Sequence, residues 1–319
     1  MKAALIRQFG NPDVFTIEEK DKPQKLGPKQ VLVKMYASSV NPIDFKQRKG
    51  NHRFIMGKPF PIQLGYDAAG VVEKVGDLVS RFVPGDRVFG VLDNKYGGAL
   101  GEYAIGSEKC FATLAENISF SKGAALALAG QTALQALRDK TGGSITGKTI
   151  LINGAAGGVG HLALQIAHIF GADTIAVTSE KHWRYVNELR PTKILDYKAK
   201  DILKSGFKVD IFFDCVGVYN YRKVRHMLNE YGVYITTLPR PKLLVDKLVA
   251  KFSKSKHARA LLMKYRRDDL LQLQEWYNNK TLNVNIDKSF VIDEVSEAHR
   301  YAEQGHTEGK IAIIINQER

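Results

Sequence analysis

Lys148-Thr149-Ile150-Leu151-Ile152-Asn153, then Gly154-Ala155-Ala156-Gly157-Gly158-Val159-Gly160, then an apolar run beginning His161-Leu162-Ala163-Leu164, is the stretch that decides the reading of this chain. The apolar segment predicts a buried strand, the glycines a tight turn, and the run after them a helix. A strand that enters a helix through glycines brings backbone N–H groups and the positive end of the helix dipole to one point, which suits a pyrophosphate. Gly157 lets the backbone approach phosphates, and Gly160 lets the helix pack close to the strand. The dinucleotide fingerprint is displaced at its first position: with Gly157 and Gly160 as its second and third glycines, Ala155 stands first and Gly154 one place earlier. A ligand-free glycine turn is the competing reading, and the flanking strand, helix and following strand favour the dinucleotide. Ala156, Gly157, Gly158 and Val159 are the candidate phosphate contacts.

Outward from this turn the pattern is regular. Strand-like runs at 174–178, 193–195, 211–214 and 233–237 alternate with helical ones, which predicts a parallel, doubly wound sheet of the α/β class. Upstream, short runs at 2–6, 14–18, 30–38 and 69–75 are punctuated by Gly27-Pro28, Asn41-Pro42 and Pro84-Gly85-Asp86, so the first third reads as mostly β. A helix is expected over 121–140 with Ser121 as its cap. Downstream of an amphipathic stretch at 268–279, a strand at 289–292, a helix at 293–304 and a strand at 310–315 resume the style of the first third. Two domains follow, one built from 1–121 with 263–319 and one from 122–262.

The second strand of the doubly wound domain ends Val177-Thr178-Ser179, with Lys181 two residues on. NAD-preferring sites normally place Asp or Glu there for the ribose hydroxyl. A hydroxyl and a cation suit a 2′-phosphate instead, so Ser179 and Lys181 point to NADP(H), with Glu180 the dissenting neighbour.

Composition sets the outer limits. The 319 residues carry a formal net charge of +14 and 44% hydrophobic residues, as in ordinary globular domains with an anionic partner or substrate. No run approaches the roughly 20 apolar residues of a membrane helix, and the start reads as a strand without a basic-then-apolar leader, so a cytoplasmic location is expected. Cys110 and Cys215 are too far apart for a CxxC pair, and the eight histidines show no HExxH spacing, so no metal is expected. The basic excess is densest at 240–267, read as a solvated face or loop near the coenzyme phosphates, with nucleic acid or an anionic membrane surface as the other partners it could serve.

Several blocks in order then give a resemblance over nearly the whole chain: Val40-Asn41-Pro42-Ile43-Asp44, Leu64-Gly65-Tyr66-Asp67-Ala68-Ala69-Gly70, Pro84-Gly85-Asp86-Arg87-Val88, Gly130-Gln131-Thr132-Ala133 and the glycine turn. The chain resembles the zinc-free quinone oxidoreductase and enone reductase branch of the medium-chain dehydrogenase/reductase superfamily. That resemblance implies a Rossmann domain inserted into a GroES-like, mostly-β substrate domain formed by both chain ends, with an active site in the cleft. Zinc-dependent relatives place Cys at Asn41, His at Tyr66 and a further Cys near Gly130, and a four-cysteine lobe between about 90 and 109; this sequence has none of these, too few ligands for a catalytic zinc. By the same match Lys181 and Tyr197 fall at the 2′-phosphate, Thr132 beside the nicotinamide half, Val216 and Leu238 at the carboxyl edge of the sheet, and Lys310 over the nicotinamide. A homodimer is implied through an edge strand at 233–237.

The chemistry expected is hydride transfer from NADPH to a small electrophile, a quinone or an α,β-unsaturated carbonyl, with activation by position and hydrogen bonding. Asn41 and Tyr66 are the candidates to polarise the acceptor oxygen. His52, near where relatives often carry Tyr, is the candidate acid, against the plainer reading of a surface-loop histidine. Asp44 reads as a loop-holding residue. Two other functions fit the same residues: an enoyl-thioester reductase whose basic segment attracts an acidic carrier, and a non-catalytic NADPH-binding protein that holds nucleic acid through that segment.

Overall fold

A computed structural model describes residues 1–51, 53, 57, 60–237 and 256–317. In chain order it comprises β1 (Lys2–Ile6), β2 (Phe15–Glu19), β3 (Gln30–Val40), α1 (Pro42–Arg48), β4 (Ile62–Gln63), β5 (Asp67–Val75), β6 (Arg87–Val91), β7 (Tyr103–Ser107), β8 (Phe111–Thr113) and α2 (Phe120–Asp139). Then come β9 (Thr149–Asn153), α3 (Gly160–Ile169), β10 (Asp173–Thr178), α4 (Trp183–Glu188), β11 (Lys193–Asp196), β12 (Val209–Asp214), α5 (Tyr221–Val224), β13 (Leu228–Thr236) and β14 (His257–Ala260). α6 (Arg267–Asn278), β15 (Ile286–Val291), α7 (Val295–Glu303) and β16 (Lys310–Ile314) complete it.

Two compact units result, one of Met1–Leu128, Tyr265–Trp276 and Val284–Arg319, the other of Ala129–Lys264 and Tyr277–Asn283. The first turns of α2 belong to the first unit because a Cβ on Gly123 would already touch Leu114 and Phe89, and because the Leu128 N–H donates to Asp67 Oδ1 at 2.8 Å. The cap of this helix is Ser119, whose hydroxyl oxygen accepts the Lys122 N–H at 3.3 Å; Ser121, two residues on, already lies inside the first turn.

The first unit holds a seven-stranded sheet of order β15-β16-β3-β5-β6-β8, with β7 also on β3, and a three-stranded sheet β2-β1-β4. Its C-terminal strands join its N-terminal ones directly: β16 pairs antiparallel with β3, Ile311 opposite Val40. The pairing buries Ile311, Ala312 and Ile313 and carries Lys310 inward at the foot of the same strand. Gly70 is fixed by close approach, since a Cβ there would sit 2.1 Å from the Lys34 carbonyl oxygen.

The second unit holds the parallel sheet, six strands in the order β11-β10-β9-β12-β13-β14. β9 is central and fully buried from Ile150 to Ile152, which is why its sequence is uninterruptedly apolar rather than alternating. The chain order reverses between β9 and β12, and there the carboxyl ends of neighbouring strands part to leave a crevice. One expectation is corrected. The strand at 233–237 is not an edge: β14 lies outside β13, Val233 opposite His257 and Thr236 opposite Ala260, and takes its free hydrogen bonds. β14 comes from within the basic 240–267 segment, whose charge pattern hides a short strand; its residues 240–255 lie outside the described residues.

Candidate functional site

In the second unit the glycine turn follows β9 as expected. Gly154 takes φ +82°, a conformation open to glycine, and its N–H and that of Ala155 both donate to the Val177 carbonyl at 3.1 and 3.0 Å, clamping the turn to β10. Gly160 is sterically required: a Cβ there would stand 2.1 Å from the Gly154 oxygen and 2.8 Å from the Ala155 Cα. Gly157 is different, because its nearest neighbour would be the Gly154 oxygen at 3.4 Å. Among the described residues the space above Gly157 is thus open, and the Gly158 and Val159 N–H groups at the start of α3 have no acceptor. Open space over a glycine and unused donors at a helix N-terminus are what a pyrophosphate needs, so these residues fit a dinucleotide.

Thr178 pairs with Asp196 in the β10–β11 register, which brings Ser179 and exposed Lys181 alongside half-exposed Tyr197. Asp196 lies among them but is occupied, its oxygens accepting the Lys198 N–H at 2.7 Å and the Glu180 N–H at 3.4 Å. Thr132 is buried in α2. Val216 is half exposed beside Gly154. Asp214, which sequence reading passed over, organises this edge: its carboxylate accepts the Gly217 N–H at 2.8 Å, the Tyr219 N–H at 2.9 Å and the Asn153 amide at 2.9 Å, fixing the loop that carries Val216. An Asp closing an apolar strand was the available signal. Leu238 lies outside the described residues.

The first unit gathers a second set. Asp67, fully buried, is its hub: Oδ2 accepts from the Ser39 hydroxyl, from Asn41 Nδ2 at 2.7 Å and from Lys310 Nζ at 3.2 Å. The Lys310 ammonium also donates to Asn41 Oδ1 at 2.6 Å and to the Val40 carbonyl at 3.2 Å. All three of its N–H bonds are used inside this unit, where the β16–β3 pairing turns it toward Asp67. Asn41 is held from both ends of its carboxamide, leaving only a long 3.4 Å contact of Nδ2 with the Ser39 carbonyl for a competing acceptor to displace.

Tyr66 lies close by. Its hydroxyl accepts from Gln47 Nε2 at 2.6 Å and donates to the Lys95 carbonyl at 2.8 Å, and burial pushes its pKa well above the ordinary phenol range. Asp44 does hold its loop, accepting the Asn41 N–H at 2.8 Å as the reciprocal half of a capping box. Its other oxygen is buried without a partner, and burial, with Asp67 nearby, raises the carboxyl to about 7. His52 lies outside the described residues. Burial pushes both thiols up, Cys110 and Cys215 alike. Among the described residues no group of three or more His, Cys, Asp or Glu is placed to hold a metal ion, and no helix is long and apolar enough to cross a membrane.

Comparison with known proteins gives the same picture from another direction. Residues 27–123 match the family model described as the alcohol dehydrogenase GroES-like domain, and residues 191–313 the one described as zinc-binding dehydrogenase. A chloroplast envelope quinone oxidoreductase homolog of Arabidopsis thaliana is 32% identical over 89% of this chain and 89% of its own length. An NADPH-dependent alkenal/one oxidoreductase of the same plant, chloroplastic, is 31% identical over 98% of this chain and 79% of its own. Among solved structures, the quinone oxidoreductase of Coxiella burnetii superposes with a TM-score of 0.93 at 31% identity, covering 99% of both chains.

Proposed function

We propose, from the premise that this chain belongs to the zinc-free quinone oxidoreductase and enone reductase branch of the medium-chain dehydrogenase/reductase superfamily, that it reduces quinones or α,β-unsaturated carbonyl compounds with NADPH. The observation that carries the reading is the glycine turn, with open space over Gly157 and two N–H donors unused among the described residues, next to a strand end that offers Ser179 and Lys181.

In this reading the pyrophosphate rests on Ala156, Gly157, Gly158 and Val159, and the 2′-phosphate on Ser179, Lys181 and Tyr197. Thr132, Val216 and Leu238 bound the rest of the coenzyme. When bound, the dihydronicotinamide supplies the hydride. The chain's own residues supply position and charge. Asn41 can release the Nδ2–H that only weakly contacts Ser39 and donate it to the acceptor oxygen, and the Lys310 cation behind its Oδ1 polarises the amide toward that bond. The Tyr66 hydroxyl, kept protonated by burial, holds Gln47 and the 95 carbonyl rather than giving up its proton. The reduced acceptor therefore takes its second hydrogen as a proton from water or from His52.

A panel of quinones, enones, aldehydes and enoyl thioesters, assayed for NADPH oxidation, tests this. Turnover is expected with a quinone or a free enone, at lower KM for NADPH than for NADH. Turnover confined to thioesters moves the assignment to an enoyl reductase. Failure to bind NADPH in a fluorescence titration of intact protein refutes it outright.

A further inference from the structure

The parallel sheet of the second unit places every strand start along one edge. In strand order that edge carries Lys193 at β11, Asp173 at β10, Lys148 before β9, Lys208 before β12, Arg225 just ahead of β13 and Lys256 before β14. Four of the six strands thus begin at or directly after a lysine, and Arg225 stands in the turn three residues ahead of a fifth. With neighbouring strands about 4.8 Å apart, the row is roughly 24 Å long. Lys148, Lys193, Lys208 and Arg225 are exposed, and among the described residues none of the four has a carboxylate within ion-pairing distance.

Two of the cations are held side by side: Lys208 Nζ donates to the His226 carbonyl at 2.5 Å and Lys256 Nζ to the adjacent Arg225 carbonyl at 3.1 Å. Two of the nearby acids accept from neutral donors rather than from these cations. Asp210 accepts the Thr149 N–H at 2.9 Å and the Asn229 amide at 3.0 Å, and Asp173 accepts the Thr192 hydroxyl at 3.4 Å. Tyr231, 67% exposed at φ +62°, lies at the same edge where β13 slips register against β12, with Glu230 beside it. A row of like charges costs the folded unit self-repulsion, which an anionic surface relieves.

We propose that this strand-start edge docks the protein reversibly on an anionic lipid bilayer. The cations are mostly lysines, compact point charges suited to a diffuse anionic plane, whereas phosphodiester recognition favours the bidentate fork of arginine. Among the described residues the aromatics of this edge are exposed Tyr231 and partly exposed Phe207, whose ring lies 4.5 Å under the Lys193 ammonium; they do not form the stacked platform that a single-stranded nucleic acid uses, and a tyrosine among lysines suits the headgroup layer. The glycine turn lies at the opposite end of the same strands, so docking leaves the coenzyme-binding end open.

The test is co-sedimentation of the full chain with phosphatidylcholine vesicles, with and without phosphatidylserine, at low and high salt. Salt-sensitive binding to the phosphatidylserine vesicles alone is expected. Lys148→Gln/Lys193→Gln/Lys208→Gln together should weaken the partition coefficient about 100-fold, with the melting temperature no lower and the NADPH titration unchanged. The equally discharged Lys25→Gln/Lys29→Gln/Lys74→Gln protein, altered at exposed positions of the first unit, should bind like the parent. Equal loss in both triple variants overturns the proposal, because net charge alone would then act. Binding that survives the strand-start substitutions overturns it too, as does edge-dependent capture of single-stranded RNA with no vesicle binding.

Discussion

Removing the Lys310 ammonium while leaving Asp67 in place is the sharpest perturbation of the first unit. Asp67 is 0% exposed and Lys310 3%, so Lys310→Met strands a carboxylate that water cannot reach, with only the neutral donors Ser39, Asn41 and Leu128 to hold it. Breaking one side of a buried ion pair costs about 3–5 kcal/mol, whereas replacing both members by neutral groups is often close to neutral. For a unit of this size that corresponds to a fall in melting temperature of roughly 6–20 °C. Lys310→Met/Asp67→Asn should recover most of the loss. Urea unfolding followed by Trp276 fluorescence in a Trp183→Phe background reads the first unit separately, because Trp276 belongs to it and Trp183 to the second. The reasoning fails if Lys310→Met costs less than about 1 kcal/mol, or if the double variant loses the sum of the two singles, since additivity means the groups do not interact.

Other outcomes follow from the same geometry. Gly157→Ala should leave the melting temperature unchanged and weaken NADPH binding at least about 10-fold, because its Cβ enters the space a pyrophosphate needs; Gly160→Ala, aimed at the Gly154 carbonyl, should lower both. Lys181→Ala should weaken NADPH about 10-fold in a fluorescence titration and leave NADH untouched; equal loss for both coenzymes would remove Lys181 from the 2′-phosphate. Burial raises the folded Asp44 carboxyl from 3.8 to about 7, so the folded state binds the extra proton and stability falls as pH rises through that window, by up to about 4 kcal/mol. Asp44→Asn should flatten this decline in urea midpoints taken across it. His299 has the opposite sign. Burial, with Arg48 nearby, lowers it from 6.5 to about 3, and neither ring nitrogen has a hydrogen-bond partner, so stability falls as pH drops from 6.5 and His299→Leu should shrink that acid loss.

What the sequence determined by itself was local or periodic. The apolar run at 149–153, the glycines after it and the alternation downstream fix a parallel sheet with a glycine turn at a helix start, because a strand, a tight turn and a helix start are each specified by residues within a few positions of one another. The blocks that carry the family resemblance, those around Asn41 and Tyr66 among them, are short and local in the same way. Only the tertiary structure decided where Lys310 points, since its partner Asp67 is 243 residues away in the chain and the β16–β3 pairing alone brings them together. It also decided that 233–237 is an interior strand: an edge is a property of what pairs beside it, and His257–Ala260 carries too short and too charged a pattern to announce itself as that neighbour. The row of cations at the strand starts belongs to the same class, because residues as far apart as Lys148 and Lys208 come to start adjacent strands only through strand order.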